Sequence, residues 1–106
     1  MNAAAKKNAE IRQIEKLLKQ HFPDHPEGYP PTAYRYNSAS IRVRIVSEQF
    51  EGKNRVERGE SVYSLLQKNL PEETWQDITL IILLTPNEVQ DSLMNMEFES
   101  PTPSRL

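Results

Sequence analysis

The stretch "RVRIVSEQFEGKNRVERGESVYSLL" (Arg42–Leu66) decides how the chain is read. Its first part alternates: Val43 and Ile45 against Arg42 and Arg44, the period of a half-buried strand. Its last part carries Val62, Leu65 and Leu66 at helical spacing. Between them lies a basic loop around Gly52. The order strand, basic glycine loop, helix is the frame from which the rest of the chain is placed.

Upstream, "TAYRYN" (Thr32–Asn37) favours a pleated strand, and "NSAS" (Asn37–Ser40) is turn material, so an antiparallel hairpin with the strand around Arg42 is expected. Ile11, Ile14, Leu17 and Leu18 predict an amphipathic helix over Ala9–Phe22, stopped by Pro23. "PDHPEGYPP" (Pro23–Pro31) reads as an extended linker. Downstream, a helix over Val56–Leu70 stops at Pro71, and "DITLIILL" (Asp77–Leu84) is a third strand, apolar on both faces and therefore central or covered on both sides. "TPNE" (Thr85–Glu88) predicts a helix start with Val89, Leu93 and Met96 on one face. The strand–helix–strand segment Ser40–Leu84 should cross over right-handed and make its strands parallel. The expected fold is α/β (α+β), helix-strand-strand-helix-strand-helix, with helices on one face of a three-stranded mixed sheet. Its parts are an N-terminal helix over 1–22, a linker over 23–31, a core over 32–98 and a disordered tail over 99–106.

The 106 residues contain no cysteine, which removes disulfides, thiolate nucleophiles and thiolate metal ligands together and suits the cytoplasm. Neither an export signal nor a membrane span is read, because the apolar run Ile78–Leu84 is far too short for a bilayer. The net charge of −2 is unevenly spread: residues 1–70 hold twelve Lys/Arg against eight Asp/Glu, and residues 71–106 hold one against seven. A basic front half suits an anionic partner, although ordinary surface charge explains the excess more simply.

Five cations form the candidate site for a partner or nucleic acid: Arg42 and Arg44 on one strand face, Lys53 and Arg55 in the loop, and Arg58 at the helix start. Amides at a helix start together with such cations can hold phosphate. Glu48, Glu51, Glu57 and Glu60 are interleaved with them, and "GKNR" lacks the second glycine of a KH clamp. Ile81 and Leu83 are a candidate protein interface: if the helices share one face, these two lie on the open face with Arg42 and Arg44, unless the N-terminal segment or the tail covers them. Tyr34, Tyr36, Tyr63 and Trp75 offer stacking surfaces, more simply read as core or interface aromatics. His21 and His25 flank Asp24, but Pro23 breaks the helix between them, and two histidines with one carboxylate leave a zinc shell incomplete. Nothing supports enzyme chemistry: there is neither a Walker-type loop nor a Ser–His–Asp order.

"IRVRIVSEQFEGKNRVERGESVYSLLQKNL" followed by "DITLIILLTPNEV" resembles the BolA family over roughly Tyr34–Val89, with "YRYN" (Tyr34–Asn37) like the segment before the family's second strand. The resemblance implies a class II KH-like fold and a small non-catalytic regulator. Such proteins partner monothiol glutaredoxins, share a bridging two-iron, two-sulfur cluster in some cases, and bind DNA in others. The sequence departs from the family's pattern where it has Arg-His-Arg, for here Arg58, Gly59 and Glu60 stand. The family's cluster-binding histidine aligns with Asp77, and Asn37–Ser40 supplies neither His nor Cys. Iron in such clusters takes thiolate or imidazole. The expectation is therefore a cytoplasmic, BolA-like binding module with no cofactor and no Fe–S ligation, docking a protein partner such as a monothiol glutaredoxin. The alternative is a DNA- or RNA-binding regulator that uses the basic loop 53–58.

Overall fold

The computed structural model describes residues 3–105. Helix α1 (Ala3–His21) begins six residues before the apolar pattern does, because alanine and lysine are strong helix formers even without a core to face. Ile14, Leu18 and Phe22 recur along one side of it and are buried, with Ile11 and Leu17 packed beside them. Each fully buried leucine or isoleucine contributes about 1.5–3 kcal/mol relative to exposure. The proline-rich segment that follows is tied down by one side chain. The Asp24 carboxylate accepts from Ser47 Oγ (2.8 Å), the Glu48 amide (3.1 Å) and Gln49 Nε2 (3.0 Å). Desolvation opposes the charge on Asp24, but the hydrogen bonds from Ser47 and Gln49 outweigh it and hold the carboxyl below its ordinary pKa.

Strands β1 (Thr32–Asn37) and β2 (Ser40–Val46) form the expected antiparallel hairpin, with the Ala39 amide donating to Asn37 Oδ1 at 2.8 Å in the turn. Strand β3 (Ile78–Leu84) pairs parallel with β2, so the order is β1-β2-β3 with β2 central. A short 3₁₀ turn (Glu48–Phe50) leads to α2 (Arg55–Asn69). Asn54 Oδ1 accepts from the Glu57 amide, and Glu57 Oε1 accepts from the Asn54 amide, both at 2.9 Å, so the helix start is fixed by a reciprocal cap. Helix α3 (Glu72–Asp77) is an element that the sequence reading did not contain. The Pro71 that ends α2 also begins α3, with Glu72 and Glu73 in the first turn, where they suit the helix dipole.

The C-terminal helix differs from expectation in both start and face. The "TPNE" signal works, with the Thr85 amide donating to Glu88 Oε1 at 2.8 Å, but it opens only a 3₁₀ turn (Pro86–Glu88). Helix α4 (Leu93–Glu99) starts afresh at Ser92, whose hydroxyl accepts from the Asn95 amide. The later start turns the helix, so Asn95 and Phe98 face inward and Leu93 and Met96 face water.

The helices do not share one side of the sheet. Helices α1 and α2 cover Ala33, Ile41, Val43 and Ile45 and form the main core with Phe50, Val62 and Leu66. Helix α4 covers the opposite face, where Tyr34, Arg42 and Arg44 lie and where Val46, Ile82 and Phe98 are buried. This corrects the expectation for Ile81 and Leu83. Register pairs Val43 with Ile81 and Ile45 with Leu83, so both side chains point into the α1–α2 core, and Leu80 and Ile82 are the residues beside Arg42 and Arg44. Residues 100–105 have no helix or strand, yet they lie along β1: Tyr36 Oη donates to the Thr102 carbonyl and Asn37 Nδ2 to Ser104 Oγ.

Candidate interaction groove

The five candidate cations separate into two groups. Arg42 and Arg44 stand side by side on β2 under α4. Arg42 Nη1 donates to Glu97 Oε2 at 2.7 Å, and its guanidinium stacks 3.5 Å from the Tyr36 ring centre. Arg44 is only 6% exposed. Its Nη1 donates to Asn95 Oδ1 (2.9 Å) and Glu99 Oε1 (2.7 Å), and its charge sits between the Phe98 and Tyr29 rings. Glu97, held by Thr102 and then by Arg42, has its pKa pulled down to about 2. These two arginines are thus engaged inside the fold, and the basic strand face seen in the sequence is covered by the chain's own carboxylates.

Lys53, Arg55 and Arg58 lie on a different surface, around the outer edge of β3. There a groove of about 870 Å³ runs between the start of α2 and the segment leading into α4. Its floor is β3 itself, from Thr79 to Leu84, and its far wall includes Leu93 and Met94. Leu93 is 79% exposed, an unusual state for so large an apolar side chain beside other apolar surface.

Arg58 is the structural fastener of this groove. Its Nε donates to the Lys53 carbonyl (2.9 Å), and Nη1 donates to the Leu83 carbonyl (3.0 Å) and to Glu88 Oε1 (2.7 Å). Nη2 adds Glu88 Oε2 at 3.2 Å, a two-point carboxylate contact. The Arg58 hydrogen bonds, with a second from the Thr85 amide, pull the Glu88 pKa down to about 2. Loop, α2, β3 and the 3₁₀ turn therefore meet at one guanidinium, which leaves little of it for an external anion. Lys53 and Arg55 are exposed and have no carboxylate partner among the described ion pairs.

The other candidates lie elsewhere. Asp77 accepts from Arg35 Nη2 at 2.8 Å, as does Glu10 at 3.0 Å, so it is part of an ion-pair knot between α1, β1 and α3. His21 and His25 each point a ring nitrogen at a nearby backbone carbonyl, of Leu17 and Pro26 respectively. Among the described residues there is no cluster of three metal-ligating side chains and no helix long and apolar enough to cross a membrane. Tyr63 packs its ring against Trp75 at 6.3 Å and also reaches the groove.

A family model described as BolA-like protein matches residues 6–76, about two thirds of the sequence. The chain belongs to the BolA-like family. Among solved structures, BolA1 from Arabidopsis thaliana is similar, with 25% identity, a TM-score of 0.57, and coverage of 74% of this chain and 94% of that one. No curated protein matches the chain. The family match ends one residue before Asp77, so the BolA-like part supplies α2 and the basic rim of the groove, whereas β3 and α4 lie beyond it. The sequence names Lys53, Arg55 and Arg58, which lie on this rim, but sets Leu93 on one helix face with Val89 and Met96 and gives no sign of the far wall.

Proposed function

We propose that this BolA-like chain is a non-enzymatic regulatory or accessory module of the cytoplasm that docks a protein partner in the β3-edge groove. The observation that carries this reading is the groove itself: an apolar floor and wall left uncovered beside Lys53 and Arg55, two cations without a carboxylate partner among the described residues. Such a composition, apolar centre with charged rim, is that of a protein interface. By family resemblance the partner is a monothiol glutaredoxin.

The residues present do not fit an iron–sulfur cluster. The chain has no thiol, its two histidines are not among the groove's lining residues, and Asp77 is held by Arg35. Iron in these clusters takes thiolate or imidazole. Docking by this chain therefore contributes no ligand to a cluster.

Nucleic acid is the second reading, favoured by the exposed Lys53 and Arg55. It is the weaker one because Arg42, Arg44 and Arg58 already carry internal carboxylates. Titration of the ¹⁵N-labelled chain with a cluster-loaded monothiol glutaredoxin tests the first reading. Shifts confined to residues around Lys53–Arg58 and β3 are expected. Absence of shifts at large partner excess removes the glutaredoxin reading. Binding of an oligonucleotide that weakens steeply with salt and is lost in the Lys53→Ala/Arg55→Ala variant would favour the second.

A further inference from the structure

The two edges of the sheet are treated differently. On β1, the outward Ala33 amide donates to Glu15 Oε2 of α1 at 3.0 Å, so that edge is partly closed by the chain itself. On β3, the Ser47 amide donates to the Leu84 carbonyl, which fixes Leu84 as facing β2. Backbone groups alternate sides along a strand, so those of Ile81 and Leu83 face outward. Arg58 takes the Leu83 carbonyl. The Leu83 amide and both backbone groups of Ile81 are left facing the groove, and among the described residues no strand neighbours β3 on that side.

We propose that β3 accepts a fourth strand in this groove: an extended segment of a partner protein in which branched apolar residues alternate with Asp or Glu. This deepens the docking reading above and rests on it. Three observations select that occupant. A main chain offers donors and acceptors in turn, matching the alternating amide and carbonyl of the free edge, whereas a phosphodiester only accepts and would meet the Ile81 carbonyl unfavourably. Apolar side chains of the added strand meet the exposed Leu93 and Met94. Its carboxylates meet Lys53 and Arg55, the groove cations without an internal counter-charge, while Asp91 on the opposite rim disfavours an acidic residue there. Long apolar edges are otherwise blunted by charges or prolines, and β3 has neither between Ile78 and Leu84.

The test selects ligands for the full chain from a displayed library of random linear dodecapeptides, then follows amide hydrogen exchange of the chain with the best selected peptide. Alternating apolar–acidic sequences are expected. The Ile81 and Leu83 amides, fast in the free chain, should slow by at least about tenfold on binding, as strand addition requires. The Lys53→Glu/Arg55→Glu variant, altered only at exposed positions, should bind the peptide about tenfold more weakly. The proposal is overturned by an empty selection, by peptides that leave both amides fast, or by a nucleic acid that competes with them. It is also overturned if those amides are protected in a concentration-dependent way without peptide, which would mean pairing with a second copy. Glutaredoxin shifts in the groove without protection of Ile81 would sink strand addition and keep the docking reading. Peptide protection without a glutaredoxin response would keep strand addition and the groove as a docking site and remove glutaredoxin as the partner.

Discussion

Arg58 and Glu88 are joined at both ends of their planar groups, Nη1 to Oε1 at 2.7 Å and Nη2 to Oε2 at 3.2 Å, across thirty residues of sequence. The pair fastens the start of α2 to the turn after β3. Glu88 titrates near 2 in the fold instead of near 4.5, so it binds a proton less readily folded than unfolded. Its contribution to stability is therefore complete above about pH 4.5 and is lost as pH falls towards 2. Because the Glu88 side chain is 43% exposed, water screens the pair and the stability involved is modest. Urea midpoints measured from pH 5 to pH 2 should fall less steeply in Glu88→Gln than in the parent chain. An equal slope in both would refute the assignment.

Arg44 is the buried charge of the fold, and its two partners, Asn95 and Glu99, both come from α4. Replacing both members of a buried ion pair by apolar residues is often neutral, whereas removing one member leaves the other uncompensated, at a cost set by how buried the survivor is. Arg44→Met leaves the half-exposed Glu99 to water but strips the buried Asn95 Oδ1 of its donor and should cost about 1–3 kcal/mol, whereas Asn95→Ala/Glu99→Ala leaves the buried guanidinium uncompensated and should cost about 3–5 kcal/mol. Chemical denaturation of the two variants decides it. The reverse order would mean that Arg44 contributes mainly through its stem.

Gly59 and Gly52 should respond oppositely to alanine. At Gly59, inside α2, an added Cβ would meet only the outer atoms of the Tyr63 ring, the nearest at 3.1 Å. Tyr63 is 47% exposed and can swing aside, so the helix-propensity gain of roughly 0.5–1 kcal/mol should survive in large part. At Gly52 the backbone has φ +74°, where an L side chain costs about 1 kcal/mol. Thermal melts of Gly59→Ala and Gly52→Ala should move in opposite directions.

Asp24 holds the proline-rich segment through Ser47, whose hydroxyl is fully buried. Asp24→Ala strands that hydroxyl without its acceptor and should cost about 1–3 kcal/mol. It should also speed limited proteolysis between Pro23 and Pro31. Unchanged cleavage kinetics in that segment would show that the buried Pro31 alone anchors it.

The hairpin, β3 and α2 were legible because alternation, a turn and a reciprocal cap all pointed the same way. Helix α3 was not, since six residues are too few to show a period and Pro71 was read only as a stop. Register decided the rest. Knowing that Ile81 and Leu83 share a face does not say which β2 residues they join, and that pairing sends them into the core beside Val43 and Ile45. The candidate cations were legible but not their partners: among the described residues Lys53 and Arg55 have no carboxylate partner, whereas Arg42, Arg44 and Arg58 do. A signal for this did exist. The basic front and acidic back of the sequence are largely each other's partners, and five of the six ion pairs among the described residues join a cation before residue 71 to a carboxylate after it. Uneven charge along the sequence suggests either ordinary surface charge or a surface for an anionic partner, and much of it is instead internal complementarity.

The distance between those partners bears on how the chain reaches its fold. Glu97 and Glu99 lie fifty-five residues downstream of Arg42 and Arg44. A chain emerging from a ribosome therefore carries the hairpin with both guanidinium groups and the Tyr34 ring in water until the last helix follows. The closing event is a long-range one, which slows folding, and it waits for α4 to be made. A ribosome stalled before residue 97 would present a bare aromatic and cationic sheet face, the kind of surface that chaperones and nucleic acid both bind.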